Sequence, residues 1–149
     1  MMGSLLSSMS PGLAGCILLG HTLLCKMLQT IVWRGPGSKA ASLGADNWVK
    51  VKSQLEQIPM YRIMSAAQLN EAEYAGPLIA ALCFCSVKNV DVGGAAFLAV
   101  FGQVGYYAPR VLFATEKNYW NGYPFYVPSA VSRYIAMGML TFAIFKDVA

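Results

Sequence analysis

Mostly apolar residues run from Leu13 to Trp33, interrupted by one charge, Lys26, and one histidine, His21. A helix that crosses a hydrocarbon layer needs about 20 such residues. The pattern predicts a first helix over about 11–33, stopped at Arg34-Gly35-Pro36-Gly37, where glycine and proline end the helical register. The stretch over about 34–61 carries Lys39, Asp46, Lys50, Lys52 and Glu56 and reads as the main polar loop, with a short amphipathic helix around Asn47 to Gln57. A second helix is predicted over about 62–87. Its first half holds Gln68, Asn70, Glu71, Glu73 and Tyr74, whereas Ala75 to Val87 is apolar apart from Ser86, so the polar half should face protein or water. Lys88-Asn89-Val90-Asp91 reads as a tight connection into a third helix over about 92–115. That helix contains Gly93, Gly94, Gly102 and Gly105, small residues that let membrane helices approach closely, and Pro109, which predicts a kink. A turn over Glu116 to Tyr123, marked by Asn121-Gly122, leads to a fourth helix over about 124–145 that carries Arg133.

Composition decides what solvent these helices need. Of 149 residues, 56% are hydrophobic and 12% charged, with a mean hydropathy of +0.48. A soluble domain carries about a quarter charged residues, so this chain has about half the usual ionised surface. Four membrane spans would use about 80 positions, which leaves room for one domain and not two. The reading is all-α, a single integral membrane four-helix bundle. The net charge of +4 comes from scattered basic residues with no phosphate-tracking cluster, which argues against nucleic acid. Cys16, Cys25, Cys83 and Cys85 lie in apolar stretches without zinc or disulfide spacing and read as small hydrophobes. With one histidine, multi-histidine metal or haem ligation is disfavoured. His21 reads as a buried, hydrogen-bonded imidazole, with an axial ligand to a pigment as the alternative.

The N-terminus lacks the positive region of a signal peptide and its apolar run is too long for one, so it is expected to stay as a signal-anchor helix. No Arg-rich transit peptide precedes it. The expected site is the endoplasmic reticulum or another endomembrane, with a mitochondrial or thylakoid membrane as the alternative. Basic residues near span ends orient the chain. Arg34, Lys39, Lys50, Lys52, Arg62 and Lys117 lie on the side of the long loop, against Lys88 and Lys146 on the other. The long loop is therefore expected on the cytoplasmic side and both termini across the membrane.

Ionisable groups within a span are expensive and point to function. Here they are Lys26, Glu73, Arg110 and Arg133. Asn70, Glu73, Tyr74 and Pro77 recur at helical spacing and share one face, too polar for lipid, that offers a carboxylate, an amide and a phenol to a small zwitterionic ligand. The plainer reading pairs Asn70 and Glu73 with a cation of a neighbouring helix to fix register. Arg133 reads as structural, Lys26 as snorkelling, and Tyr119, Trp120, Tyr123, Phe125 and Tyr126 as an interfacial belt.

The string from Gln68 to Tyr74, with Pro77 one turn later, resembles the second-helix signature of the membrane-associated proteins in eicosanoid and glutathione metabolism. That family contains the microsomal glutathione transferases, leukotriene C synthase and microsomal prostaglandin E synthase. The resemblance implies a homotrimer of four-helix subunits with glutathione bound between neighbours toward the cytoplasmic side. It implies that Gln68, Asn70, Glu73 and Tyr74 contact glutathione, with Tyr106 or Tyr107 bordering the site. The arginine that lowers the thiol pKa falls on Lys117 or on Arg110, and Arg34 is similar to an arginine lining the thiol. The implied activity is attack of the glutathione thiolate on lipophilic electrophiles or lipid hydroperoxides. Ala66 stands where many members carry Arg, and Arg62 lies one turn away. That departure motivates a second expectation, a non-catalytic accessory subunit of a larger respiratory or photosynthetic membrane assembly.

Overall fold

The computed structural model describes residues 9–34, 38–43, 48–113 and 123–149, the side chains at 123, 125 and 126 excepted. Among them every regular element is helical. The Ser10 hydroxyl accepts the Leu13 N–H at 3.2 Å and Pro11 occupies the first turn, so α1 starts at Pro11 and runs to Gln29. It continues into a π-helical turn, Thr30–Arg34. Two short helices follow, α2 (Lys39–Ser42) and α3 (Trp48–Glu56), the latter burying Val51 and Leu55. α4 spans Pro59–Val87, α5 Gly93–Phe113 and α6 Tyr123–Val148. α4 begins three residues before the expected 62 because Pro59, which has no N–H to lose, fits a first helical turn. α6 outlasts the expected 145 and places Asp147 4.0 Å from Lys88 in the α4–α5 connection. That connection is tight because Asn89 takes the left-handed conformation (φ 55°) while the Val90 N–H returns to the Cys85 carbonyl.

The four long helices alternate in direction, with α5 against α6 and α1 against α4 as the most extensive contacts. At the end near the α4–α5 connection the core is hydrocarbon, with Leu18, Leu78, Leu82, Ala95, Ala99 and Leu140 fully covered. At the opposite end α3 docks through Val51 and Leu55 on Trp33, Tyr61 and Met64. A polar layer separates these two cores.

Large apolar side chains also cover the outside. Leu19 and Leu23 of α1 and Ile31 of the π-helical turn are each about 60% exposed, as are Phe142 and Phe145 of α6 at slightly more. A water-soluble monomer seldom exposes a continuous apolar surface of this kind. Among the described residues two helices are long and apolar enough, by length and composition, to cross a membrane, one that begins at Pro11 and the other Val127–Val148. The expected four spans are thus two on this criterion, because the first half of α4 is polar and α5 carries glycines, Gln103, Tyr106, Tyr107 and Arg110 among its apolar residues.

Of the glycines expected to bring helices together, Gly102 and Gly105 do so. A Cβ on Gly102 would lie 2.7–2.9 Å from the Arg133 backbone N, Cα and Cβ, and one on Gly105 would collide with the Ser129 hydroxyl. Gly94 is different, since its Cβ would meet only the Met139 methyl at 3.9 Å. Gly102→Ala should therefore cost about 1–3 kcal/mol, because backbone cannot yield as a side chain can. Gly94→Ala should be neutral or stabilise by up to about 1 kcal/mol through the unfolded state. Thermal melting of both variants in detergent checks the contrast.

Candidate functional site

Halfway along the bundle each long helix contributes polar side chains to one layer. Glu71 of α4 is fully buried. Its Oε1 accepts a hydrogen bond from the Thr22 hydroxyl at 2.6 Å and lies 3.4 Å from His21 Nδ1, while Oε2 has no hydrogen-bond partner among the described residues. The Glu71 backbone carbonyl accepts from Gln103 Nε2 at 2.6 Å. Gln103 Oε1 in turn accepts from Arg133 Nη1 at 3.2 Å, and Arg133 Nη2 donates to Asn70 Oδ1 at 2.8 Å. A single chain of polar contacts therefore joins α1, α4, α5 and α6.

Arg133 is 1% exposed, and no carboxylate among the described residues forms an ion pair with it. Aromatic faces stand in for the missing anion. The guanidinium carbon lies 3.8 Å from the Tyr74 ring centre, 4.6 Å from Tyr106 and 5.8 Å from Tyr134. Each face offers a cation the negative side of its quadrupole, worth more where water is absent. The box is closed by a 2.8 Å hydrogen bond between the Tyr74 and Tyr134 hydroxyls, and Arg110 donates to the Tyr106 hydroxyl.

A different surface lies between α1 and α4 at the α3 end. An open groove of about 610 Å³ is lined there by Lys26, Arg34, Lys52 and Arg62 together with Gln29 and Gln68. Its acidic member, Glu56, is 3.7 Å from Lys52. Arg34 is steadied by a 3.1 Å hydrogen bond to the Tyr61 hydroxyl and by the Trp48 ring 5.9 Å away. The groove can hold an anionic ligand through several cations at once.

The residues singled out from the sequence divide between these places. Arg34 and Gln68 line the groove. Asn70, Tyr74 and Tyr106 surround Arg133. Tyr107 turns to α1 and packs beside Cys25, with its ring edge-on to His21 at 5.7 Å between centres. Glu73 is exposed and forms no ion pair among the described residues, so the carboxylate inside the bundle is Glu71 and not Glu73. Lys117 lies outside the described residues, as do Tyr119 and Trp120 and the side chains of Tyr123, Phe125 and Tyr126.

Sequence reasoning missed the role of Glu71 and undervalued Arg133. The signal for Glu71 was its register, since it continues the buried stripe of Ile63, Ala67, Ala75, Leu78 and Leu82 at helical spacing. The signal for Arg133 was a lone cation in an otherwise apolar stretch of α6.

Arg133→Lys should lower stability by about 1–3 kcal/mol, because an ammonium cannot keep both forked hydrogen bonds and lie flat on the Tyr74 ring. Arg133→Ala should cost more, since it also opens a void and leaves the acceptors of Asn70 and Gln103 unpaired. Detergent unfolding curves for the two variants check the order. Comparison with protein-family models, curated proteins and solved structures finds no match for this chain.

Proposed function

We propose that this chain is a membrane-embedded four-helix protein that assembles as a trimer, binds glutathione between subunits and activates its thiol against lipophilic substrates. The observation that carries this reading is the division of the resembling residues between two faces. Arg34 and Gln68 line the basic groove, whereas Asn70, Glu73 and Tyr74 lie across α4, with Asn70 and Tyr74 turned to α6. Residues two apart on a helix point about 200° apart, so one ligand cannot touch both sets within a single copy. A ligand seated in the groove of one copy and against the α4 face of its neighbour touches both.

The chemistry of glutathione suits this division. Its two carboxylates and its thiolate call for the cations of the groove, and its ammonium calls for a carboxylate such as Glu73. An exposed carboxylate halfway along a membrane helix is costly unless another chain or a ligand covers it, which favours an assembly over a lone subunit. The thiol of glutathione has a free pKa of about 8.5, and a fixed cation in a low-dielectric site stabilises the thiolate. Of the cations the resemblance points to, Arg34 lines the groove, and Arg110 and Lys117 are the others. The thiolate then attacks an electrophilic carbon of a molecule arriving from the bilayer and expels its leaving group, or attacks the O–O bond of a lipid hydroperoxide, releasing the lipid alcohol and leaving a glutathione sulfenic acid that a second glutathione converts to the disulfide and water. The endoplasmic reticulum or another endomembrane is the proposed location.

A second reading is favoured by a specific observation. The Asn70 amide oxygen already accepts from Arg133, and the Tyr74 hydroxyl already pairs with that of Tyr134. With Ala66 in place of an arginine, the same fold serves as a non-catalytic subunit of a larger organellar assembly, and Glu73 then meets a cation of another chain.

Calorimetry on the full chain in lipid nanodiscs separates the two. Under the transferase reading glutathione binds the wild type, and Glu73→Gln weakens binding by about tenfold, the loss of one charge-assisted hydrogen bond, while the oligomer mass stays unchanged. No binding heat for the wild type, together with a Glu73→Gln variant that dissociates, supports the accessory subunit instead. The membrane reading has its own test. An impermeant amine reagent applied to the cytoplasmic face should label Lys50 and Lys52 and spare Lys146, as the distribution of basic residues requires.

A further inference from the structure

The basic groove between α1 and α4 holds more positive charge than the chain itself neutralises. Lys26 and Arg62 are exposed there and form no ion pair among the described residues. With Arg34 and Lys52 they set four cations against one carboxylate, that of Glu56. The walls add neutral polar groups. Gln29 and Gln68 are buried in them, and the Ser65 hydroxyl, which accepts from Gln29 Nε2 at 3.2 Å, spends its own proton on no other described residue.

Toward the middle of the bundle the same seam turns apolar. Leu19 lies two turns from Lys26 on one side of α1, and Leu69 and Gly76 follow Arg62 along α4 at steps of seven residues. Leu19 and Leu69 are each 61% exposed, and a Cβ on Gly76 would meet nothing within 4 Å, so the seam is open along this length. Glu73 stands aside, on the flank of α4 that it shares with Asn70 and Tyr74 toward α6. From Arg62 to Gly76 the helix rises about 21 Å, enough to follow an acyl chain through one leaflet, about 15 Å of hydrocarbon. At the cationic end Trp48 is half exposed, its ring 5.9 Å from the Arg34 guanidinium carbon, and a tryptophan so placed marks the headgroup level.

We propose that the groove and the seam below it bind one anionic phospholipid of the loop-side leaflet, its phosphate held by Lys26, Arg34 and Arg62 and an acyl chain lying along Leu19, Leu69 and Gly76. The surplus of cations selects an anionic headgroup over a zwitterionic one, whose own ammonium they would repel. A soluble phosphate ester uses the cations alone, whereas a lipid uses the cations and the seam. The inference goes beyond the glutathione reading and rests on its membrane placement: it adds a second ligand to the same groove, so glutathione enters only by displacing the lipid phosphate.

The test uses the full chain in phosphatidylcholine nanodiscs and two photoreactive probes, phosphatidic acid and phosphatidylcholine, each with the same diazirine-bearing acyl chain. After irradiation, mass spectrometry should find the phosphatidic acid probe at Leu19, Leu23 and Leu69, about tenfold more than the phosphatidylcholine probe at equal mole fraction. Unlabelled phosphatidic acid should compete, and glycerol 3-phosphate, a phosphate monoester without chains, should not. Lys26→Gln and Arg62→Gln each remove a cation without breaking an ion pair inside the chain and should each lower labelling about fivefold, the share of one cation beside an anionic lipid. Equal labelling by the two probes, label spread as heavily over α6, competition by glycerol 3-phosphate as strong as by the lipid, or charge variants labelled as the wild type is, would each overturn the proposal. Calorimetry with glutathione in discs of phosphatidylcholine alone reads the other ligand, so either reading can fail without the other.

Discussion

A guanidinium taken out of water must be solvated by the protein around it, and the middle of this bundle is organised by that requirement. Arg133 receives no carboxylate from the described residues; it takes the amide oxygens of Asn70 and Gln103 and the faces of three tyrosines. Those five groups come from α4, α5 and α6, so the cation cannot be satisfied until three helices are in place. A charge with such demands contributes little net stability for its burial, and what it supplies is a penalty on every other arrangement.

Two features of the fold follow from that demand. The α5–α6 backbones meet closely at Gly102 because the Arg133 backbone occupies the space where a side chain would stand, and this approach brings the guanidinium within reach of α4. Gln103, the next residue, uses both ends of its amide, donating to the Glu71 carbonyl and accepting from Arg133. The two ionisable groups of the layer, Glu71 and Arg133, are thereby joined through one neutral side chain rather than in direct contact. The carboxylate is left to Thr22 and His21 of α1, and the cation to the tyrosines.

Much of the helical framework was legible in the sequence because it is written in runs and breaks, such as the apolar stretch to Trp33 and the Lys88–Asp91 turn, while the expected stop at Gly35-Pro36-Gly37 lies outside the described residues. The partner of each polar residue was not, because helical spacing tells which residues share a face and not which way that face looks. Asn70, Glu73 and Tyr74 do follow one another along α4, yet the face they share lies at the edge of the bundle, so Glu73 is exposed while Asn70 and Tyr74 reach Arg133. Two residues before Glu73, Glu71 falls on the stripe that Ala67, Ala75 and Leu78 define as core. A chain so rich in apolar residues blurs that stripe, since lipid-facing and core-facing positions of α1 and α6 look alike until the packing is known. The groove was the least legible element, because Lys26, Lys52 and Arg62 come from three helices and meet only in the folded chain.

The π-helical turn over Thr30–Arg34 lies between the polar layer and the α3 end. A turn of this kind accommodates one residue more than α geometry allows and shifts the phase of everything after it. Trp33, which donates to the Met64 sulfur, and Arg34, which donates to Tyr61, are set by that shifted phase, while His21 and Cys25 keep the phase of α1 proper. The bundle is in this sense modular along its axis. Changes in the loop-facing half, in the length of the connection after Arg34 or in the docking of α3, can be absorbed at the wide turn without rotating the buried imidazole away from its carboxylate.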